Sequence, residues 1–169
     1  MTERSPAGGR TAGGGSPGAP GTLGGPGAAR ASEAGASEGS GAATVFFLSD
    51  YGLVDEFVGV VHAVLRRAGP VGVVDLTHGI APFDVRGGTE ALQRALPHLG
   101  PGVVLGVVDP GVGGDRRGIA VLSAGGRWFV GPDNGLLPPA VGLDGGPTRA
   151  IALDKSADAP ATFDGRDVF

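Results

Sequence analysis

The chain has 169 residues, of which 35 are glycine, 14 are proline and none is cysteine, and its net charge is −4. This length allows one domain and a tail, and the lack of cysteine excludes disulfides, zinc–thiolate sites and thiol nucleophiles. The acidic balance disfavours nucleic-acid binding, and no apolar run is long enough to span a membrane or form a signal peptide, so a cytoplasmic location is expected.

Residues 1–43 differ in composition from the rest of the chain. They contain no aromatic residue, and their only large aliphatic residues are Met1 and Leu23. Such a segment cannot bury enough apolar surface to offset the entropy lost on ordering. We predict a disordered tail over 1–43, for which a flexible tether or partner-binding arm is the functional alternative, and a domain over 44–169.

Hydrophobic periodicity predicts alternating strands and helices beyond the tail. In chain order, the predicted elements are a strand at 44–48, a helix at 54–67, a strand at 71–76, a helix at 84–96, a strand at 103–108, a hairpin of 119–122 with 128–130, a short helix at 134–141 and a strand at 148–153. This order is typical of a three-layer, Rossmann-like α/β domain with a mostly parallel sheet.

Two helix starts carry specific signals. Asp55 and Glu56 are expected in the first turn of the first helix, where acidic side chains favour the helix dipole, and Asp84 is expected to cap the second helix. The chain ends at Phe169 inside an incomplete motif, so we expect it to be a fragment of a longer protein.

Ligands of parallel α/β sheets bind beyond the carboxyl ends of the strands, which draws attention to Asp50 after the first strand. A carboxylate followed by a glycine turn suits a bidentate hydrogen bond to a ribose diol. The alternative is that Asp50 only caps the following helix.

The stretch DPGVGGDRR at 109–117 follows the third strand. Its glycine turns allow Arg116 to return towards Asp109, where the pair would grip a polar nucleophile or a ligand. The alternative is an exposed loop salt bridge of about 0–1 kcal/mol. The stretch is not a dinucleotide-binding fingerprint, because Arg116 occupies the place of the third glycine.

Other polar and aromatic candidates are less specific. The histidines are scattered in the sequence, which favours packing or capping over a metal cage, so we expect no metal site. Phe83 stacks on a flat ring or belongs to the core. Asn134 contacts a ligand or serves a turn.

Five ordered stretches together resemble the S-adenosylmethionine (SAM) hydroxide adenosyltransferase family, which is related to fluorinase and chlorinase. They are SDYGLVDEFVG at 49–59, VVDLTHGIAPFDVRGG at 73–88, VVDPGVGGDRRGIAV at 107–121, FVGPDNGLL at 129–137 and TFDGRDVF at 162–169. The resemblance covers residues 44–169 and implies cleavage of SAM at C5′ by water or hydroxide, giving adenosine and methionine without a cofactor. It also implies a homotrimer, with adenine contacts from the C-terminal β-barrel of a neighbouring subunit, before which this chain stops.

The resemblance assigns roles to individual residues. It implies that Asp50 holds the ribose diol and that Phe83 stacks in the pocket. Asp109 and Arg116 match two of the three residues that hold the attacking water, and the third position is Asp164.

The remaining implied substrate contacts are Asp55, Glu56, Phe57, Asn134 and Phe163, the first three near the methionine end.

Asp164 departs from the family pattern, which has histidine at this position in its TFHGRD version. The histidine role does not carry over unchanged, although an aspartate can accept a proton as a general base. Gly165 lacks the hydroxyl with which fluorinase contacts its halide, and the charge of Asp109 disfavours a halide. A SAM-dependent halogenase and an inactive adenosine-binding fragment are the alternatives to a hydrolase.

Overall fold

The computed structural model describes residues 42–154 and 168–169. It contains six strands, three α-helices and one 3₁₀ turn in this part of the chain. They are β1 (Ala43–Ser49), α1 (Phe57–Ala68), β2 (Val71–Thr77), α2 (Val85–Ala95), the 3₁₀ turn (Leu96–His98), β3 (Val103–Val107), β4 (Gly118–Ser123), β5 (Trp128–Pro132), α3 (Pro138–Leu143) and β6 (Pro147–Leu153).

The six strands form one sheet in the order β2-β1-β3-β5-β4-β6. β1 runs parallel to β2 and β3, and β3 runs parallel to β5. β4 is antiparallel to both β5 and β6. The predicted mostly parallel α/β sheet is therefore confirmed, with the antiparallel pairs confined to the β4–β5 hairpin and the last strand.

Helices cover both faces of this sheet. Side chains alternate between the two faces along β1, and both sets are apolar, so both faces need to be covered. Phe47 packs with Val61 of α1 on one face. Phe46 and Leu48 belong to the cluster on the other face, with Leu92 of α2 and further side chains of α3. This arrangement has three layers, as predicted.

The predicted start of α1 was wrong by three residues. The helix begins at Phe57, so Asp55 and Glu56 precede its first turn, which contains no acidic residue. Gly52 has a φ of +72° and donates its N–H to the His78 carbonyl at 2.7 Å. This bond holds the chain beside the β2–α2 loop in a conformation that favours glycine, so the helix begins after it.

The two later helix starts differ in outcome. Asp84 caps α2 as predicted, since its side chain accepts a hydrogen bond from the Gly87 N–H. α3 begins at Pro138 rather than at residue 134. The Asn134 side chain accepts the Leu136 N–H and forms a turn, and proline then suits the first helical turn.

The predicted tail lies almost entirely outside the described residues. The domain begins with β1 at Ala43, one residue before the predicted boundary. Among the described residues, the helices are all too short or too polar to cross a bilayer.

Candidate active site at the carboxyl ends of β1 and β3

The two carboxylates singled out from the sequence follow neighbouring parallel strands. Ser49 at the end of β1 pairs with Val107 at the end of β3. The next residue, Asp50, donates its backbone N–H to the Val107 carbonyl at 3.3 Å. Asp109 lies two residues beyond Val107, so both carboxylates lie at one edge of the sheet.

The Asp50 carboxylate is held by the loop that connects β2 to α2. Its Oδ2 accepts the backbone N–H of Phe83 at 2.7 Å. The hypothesis that Asp50 caps α1 was wrong, because Glu56 occupies the N-cap position and makes no capping bond through its side chain. Among the described residues, Asp50 Oδ1 has no hydrogen-bond donor, which leaves an acceptor for a ligand hydroxyl.

Asp109 and Arg116 form a two-pronged ion pair. Arg116 Nε donates to Asp109 Oδ1 at 2.7 Å, and the second contact joins Arg116 Nη2 to Asp109 Oδ2. The side chains are only 6% (Asp109) and 13% (Arg116) exposed, so the alternative of an exposed loop salt bridge was wrong. The Phe169 ring lies 4.9 Å from the guanidinium carbon of Arg116, within the range of a cation–π contact.

Turns between the two partners make this pair possible. The Val112 N–H donates to the Asp109 carbonyl at 3.3 Å, and the Gly114 N–H donates to the Gly111 carbonyl at 3.0 Å. Gly111 also donates its N–H to Asp109 Oδ1 at 3.0 Å. A Cβ at Gly111 would lie 3.0 Å from Arg116 Cγ, so a side chain there would press on the arginine.

Phe83 lies at the surface beside Asp50. It is 60% exposed, so the alternative that it belongs to the core was wrong. It is also the one non-glycine residue with positive φ in the described part of the chain, at +65°. Such a conformation costs about 1–3 kcal/mol and is often found at ligand sites. The ring is therefore available to stack on a bound ligand.

The loop from 51 to 56 carries the residues expected near methionine. Asp55 and Glu56 are exposed. Phe57 is the first residue of α1, and its ring lies 5.7 Å from that of Tyr51. The fold thus places these three residues after β1, while their contact with methionine stays a prediction.

Asn134 uses both ends of its amide to position the backbone. Its Nδ2 donates to the Val108 carbonyl at 2.8 Å, and its Oδ1 accepts the Leu136 N–H at 3.1 Å. These bonds fasten the turn after β5 to the end of β3, next to Asp109. A direct contact of Asn134 with substrate stays a prediction.

Phe163 and Asp164 lie outside the described residues, so their predicted roles are not addressed by this structure.

The sequence interpretation missed a cluster of polar side chains behind Asp50. His78 Nδ1 lies 2.7 Å from Ser49 Oγ, and Asp75 Oδ1 lies 2.8 Å from His62 Nε2 and 3.1 Å from His78 Nε2. The first two distances are hydrogen bonds, whereas the third approach is poorly aligned for one and leaves His78 Nε2 without a hydrogen-bond partner in the described chain. The available signal was that Ser49 ends β1 and His78 follows the neighbouring parallel strand β2.

This cluster changes the acidity of Asp75. Desolvation by partial burial raises its pKa, but the interactions of the carboxylate with the neighbouring His62 and His78 together outweigh that effect. The pKa of Asp75 is therefore lower than usual. No group of His, Asp and Glu suited to a metal ion occurs among residues 42–154 and 168–169.

The site therefore has two polar parts and one aromatic wall. Asp50 offers an acceptor beside the exposed ring of Phe83, and the Asp109–Arg116 pair supplies charged acceptors and donors at the same edge of the sheet. Such a set suits a ligand that has vicinal hydroxyls and a flat ring, with a small polar molecule held next to it.

Comparison with known proteins agrees with this arrangement. A family model described as the SAM hydroxide adenosyltransferase N-terminal domain matches residues 45–169. The chain belongs to this family. Relatives of this SAM hydroxide adenosyltransferase domain include two proteins named (R)-S-adenosyl-L-methionine hydrolase. The protein from Salinispora tropica is 49% identical over 130 residues, which are 74% of this chain and 49% of the relative.

The second relative, from Thermus thermophilus, is 51% identical over 140 residues, covering 74% of this chain and 53% of its own length. A crystal structure of an uncharacterized conserved protein from Thermotoga maritima superposes with a TM-score of 0.68 at 36% identity, covering 73% of this chain and 50% of that one. The adenosyltransferase-family chain thus spans about half the length of the curated relatives that it matches.

Proposed function

We propose that this domain is part of an enzyme that hydrolyses SAM to adenosine and methionine. The observation that carries the proposal is the buried Asp109–Arg116 pair at the same sheet edge as Asp50. The names of the two bacterial relatives, at about half identity, support the same reaction. The family match supports a substrate that carries an adenosyl group.

In the proposed reaction, a water oxygen attacks C5′ and the C5′–sulfur bond breaks. The bonding electron pair leaves with sulfur as methionine, and the proton of the water passes to a neighbouring carboxylate or to solvent. A sulfonium is already a good leaving group, so the chemistry requires neither a metal ion nor a cofactor. Alignment of water and C5′ can contribute about 7–11 kcal/mol to the lowering of the barrier.

Each candidate residue has a proposed role that follows from its position in the site. We assign the ribose hydroxyls to Asp50 and a flat face of the nucleoside to Phe83, since the Phe83 N–H holds the Asp50 carboxylate and the Phe83 ring is exposed beside it. Asp109 and Arg116 would hold the attacking water through a carboxylate acceptor and a guanidinium donor. The Asp109 carboxylate can accept a hydrogen bond from water but has no donor to offer a halide ion, so hydrolysis fits this site better than halogenation.

The test is to incubate the chain in molar excess over SAM and to measure products by chromatography with mass detection. Adenosine and methionine in equal amounts would support the proposal. A second sample with chloride addresses the halogenase alternative, for which 5′-chloro-5′-deoxyadenosine is the diagnostic product. Binding of adenosine without any product would favour the adenosine-binding module, and absence of product with the whole protein that contains this domain would contradict the proposal.

We also propose that the protein containing this domain works as a homotrimer with its sites between subunits. Leu53 and Val54 are apolar residues on the loop that follows Asp50, and they are 80% and 98% exposed. Such apolar exposure supports a surface that a neighbouring subunit covers. Light scattering of the whole protein would give three times the subunit mass, and a monomer that is fully active would contradict the proposal. The cytoplasmic location and the lack of a nucleic-acid partner stay predictions from composition.

A further inference from the structure

We propose that His78 is a positioning residue that sets the place of the Asp50 carboxylate through Ser49 and the β2–α2 loop. This inference rests on the proposed function only in that Asp50 is taken to bind the ribose diol. The positioning of the Asp50 carboxylate by His78 concerns the domain without ligand and does not depend on what Asp50 binds.

His78 is bonded to the chain on both sides of Asp50. Its ring is buried, with Nδ1 at 2.7 Å from Ser49 Oγ. Its backbone carbonyl accepts the Gly52 N–H at 2.7 Å. The register between β1 and β2 shifts after Phe47, so Leu48 pairs with Thr77. Ser49 and His78 therefore come side by side where the two strands end.

The direction of the Ser49–His78 bond follows from the other bonds of the hydroxyl. Ser49 Oγ accepts the Tyr51 N–H at 3.3 Å, so its single proton is free to go to His78 Nδ1. An accepting Nδ1 assigns the proton of the neutral ring to Nε2, which faces Asp75 Oδ1 at 3.1 Å. Asp75 is itself bonded to His62.

The loop that begins at His78 carries the donor for Asp50. Phe83 N–H donates to Asp50 Oδ2 at 2.7 Å, and its positive φ requires support from the surroundings. Within the loop, Asp84 N–H donates to the Ala81 carbonyl at 3.0 Å. Because Phe83 lies five residues after His78 in the same short loop, we expect a displacement of His78 to move the Phe83 N–H relative to Asp50.

Packing alone does not account for a histidine at this position. The His78 ring meets the fully buried Phe47 edge-on, with 4.7 Å between ring centroids. An apolar side chain of similar volume would fill that space without the cost of burying polar nitrogens. The imidazole is therefore explained by its hydrogen bond to Ser49 and by the close approach of its Nε2 to the Asp75 carboxylate.

The experiment compares His78→Asn with His78→Leu by NMR of the apo chain. Asparagine keeps a hydrogen-bond acceptor near the position of His78 Nδ1. Leucine keeps a similar side-chain volume but has no hydrogen-bond acceptor. An amide proton bonded to a carboxylate shifts when that carboxylate is protonated, so the Phe83 amide reports on Asp50. The Gly87 amide, which donates to Asp84 Oδ1 at 2.9 Å, is the internal control.

We expect the Phe83 amide shift to follow acid titration in the wild type and in His78→Asn, and to lose most of that response in His78→Leu. The Gly87 response should be the same in all three. Ser49→Ala removes only the bridging hydroxyl and should match His78→Leu, which covers the case in which the leucine variant fails to fold. A Phe83 response that survives both substitutions would overturn the positioning role.

A double-mutant cycle then connects His78 with ligand binding. The dissociation constants of adenosine and 2′-deoxyadenosine are measured with His78→Leu, Asp50→Asn and both together. We expect His78→Leu to weaken adenosine about tenfold, the loss typical of one hydrogen bond to a charged group, and to add nothing once Asp50 is changed. Additive effects would overturn the role. If the wild type binds no adenosine while the amide response behaves as expected, the proposed function fails and the positioning of Asp50 stands.

Discussion

Asp109 and Arg116 owe their proximity to the turns between them, and the guanidinium offsets the charge of the buried carboxylate. The Gly111 N–H adds a third bond to the carboxylate. An aspartate held in this way cannot rotate freely, so a water molecule bound to it would have a defined direction of approach. The pair thus serves the alignment of a bound water as well as the stability of the fold.

Asp109→Asn keeps the shape of the side chain and removes its charge. We expect adenosine release to fall below detection while adenosine binding stays within a few-fold of the wild type, because Asp50 and Phe83 are unaffected. Single-turnover product analysis and calorimetry measure the two quantities. Asp133→Asn, which changes the exposed partner of Arg117, is the matched control and should leave both unchanged. An unaltered rate in Asp109→Asn would remove Asp109 from the mechanism.

Phe83 combines an exposed ring with a strained backbone, which is expected where ligand binding outweighs stability. Phe83→Asn accepts the positive φ and removes the ring. We expect unfolding in urea to change by less than about 1 kcal/mol, while adenosine binding weakens about two- to tenfold through loss of stacking. Phe83→Val keeps an apolar side chain but should destabilise by about 1–2 kcal/mol, because a branched residue resists this conformation. Equal stability of the two variants would contradict the strain argument.

At the scale of elements, one clasp joins the β4–β5 hairpin to the end of α3. Arg127 forms an ion pair with Asp144, and Asp144 Oδ2 accepts the Ser123 hydroxyl at 2.5 Å. Arg127 also donates to the carbonyls of Leu99 and Gly100, at 2.6 and 3.0 Å. The clasp lies away from the candidate site, so it affects stability without taking part in binding.

Arg127→Met leaves Asp144 largely buried without its cation. We expect a loss of about 3–5 kcal/mol in the free energy of unfolding, measured by urea denaturation. The control is Arg86→Met, which breaks the exposed Arg86–Glu90 pair on α2 and should cost less than about 1 kcal/mol. Similar losses in the two variants would show that burial does not decide the strength of the clasp.

A second link joins α1 to the sheet through His62 and Asp75. The lowered pKa of Asp75 means that the folded chain binds the carboxylate proton more weakly than the unfolded chain does. The stabilisation is fully present above the ordinary pKa and is lost as the pH falls through the lowered value. Asp75→Asn should therefore be less stable than the wild type near neutral pH, and the difference should shrink in acid. A difference that grew on acidification would contradict this linkage.

At the scale of the whole molecule, the chain spans about half the length of its curated relatives. The family resemblance predicts that adenine contacts come from the barrel of a neighbouring subunit. We expect the 169-residue chain to release adenosine far more slowly than the Thermus thermophilus relative when both are assayed in parallel at equal subunit concentration. Equal turnover would show that the N-terminal domain carries the complete site.

Hydrophobic pattern predicted the element order well because the central strands β1 and β3 bury nearly continuous apolar runs, while α1 and α2 turn apolar residues at helical spacing towards the sheet. The pattern failed at the starts of α1 and α3, where hydrogen bonds rather than hydrophobicity determine the first helical residue. The Gly52 N–H is bound by a carbonyl 26 residues further along the chain, and the Asn134 side chain accepts the Leu136 N–H and so forms a turn. The helical spacing continues through both segments, so periodicity alone extends the helices too far towards the N-terminus.

The sequence by itself determined the layered α/β domain, the family and the residues that follow each strand, because these depend on local pattern and ordered motifs. Only the tertiary structure decided what those residues do to one another. It buried the Asp109–Arg116 pair, exposed Phe83, turned Asp50 towards the Phe83 N–H and gathered His78, Ser49 and Asp75 behind it. The physical reason is that burial and hydrogen-bond direction depend on strands β1, β2 and β3 ending together, and that adjacency is a property of the sheet rather than of any segment.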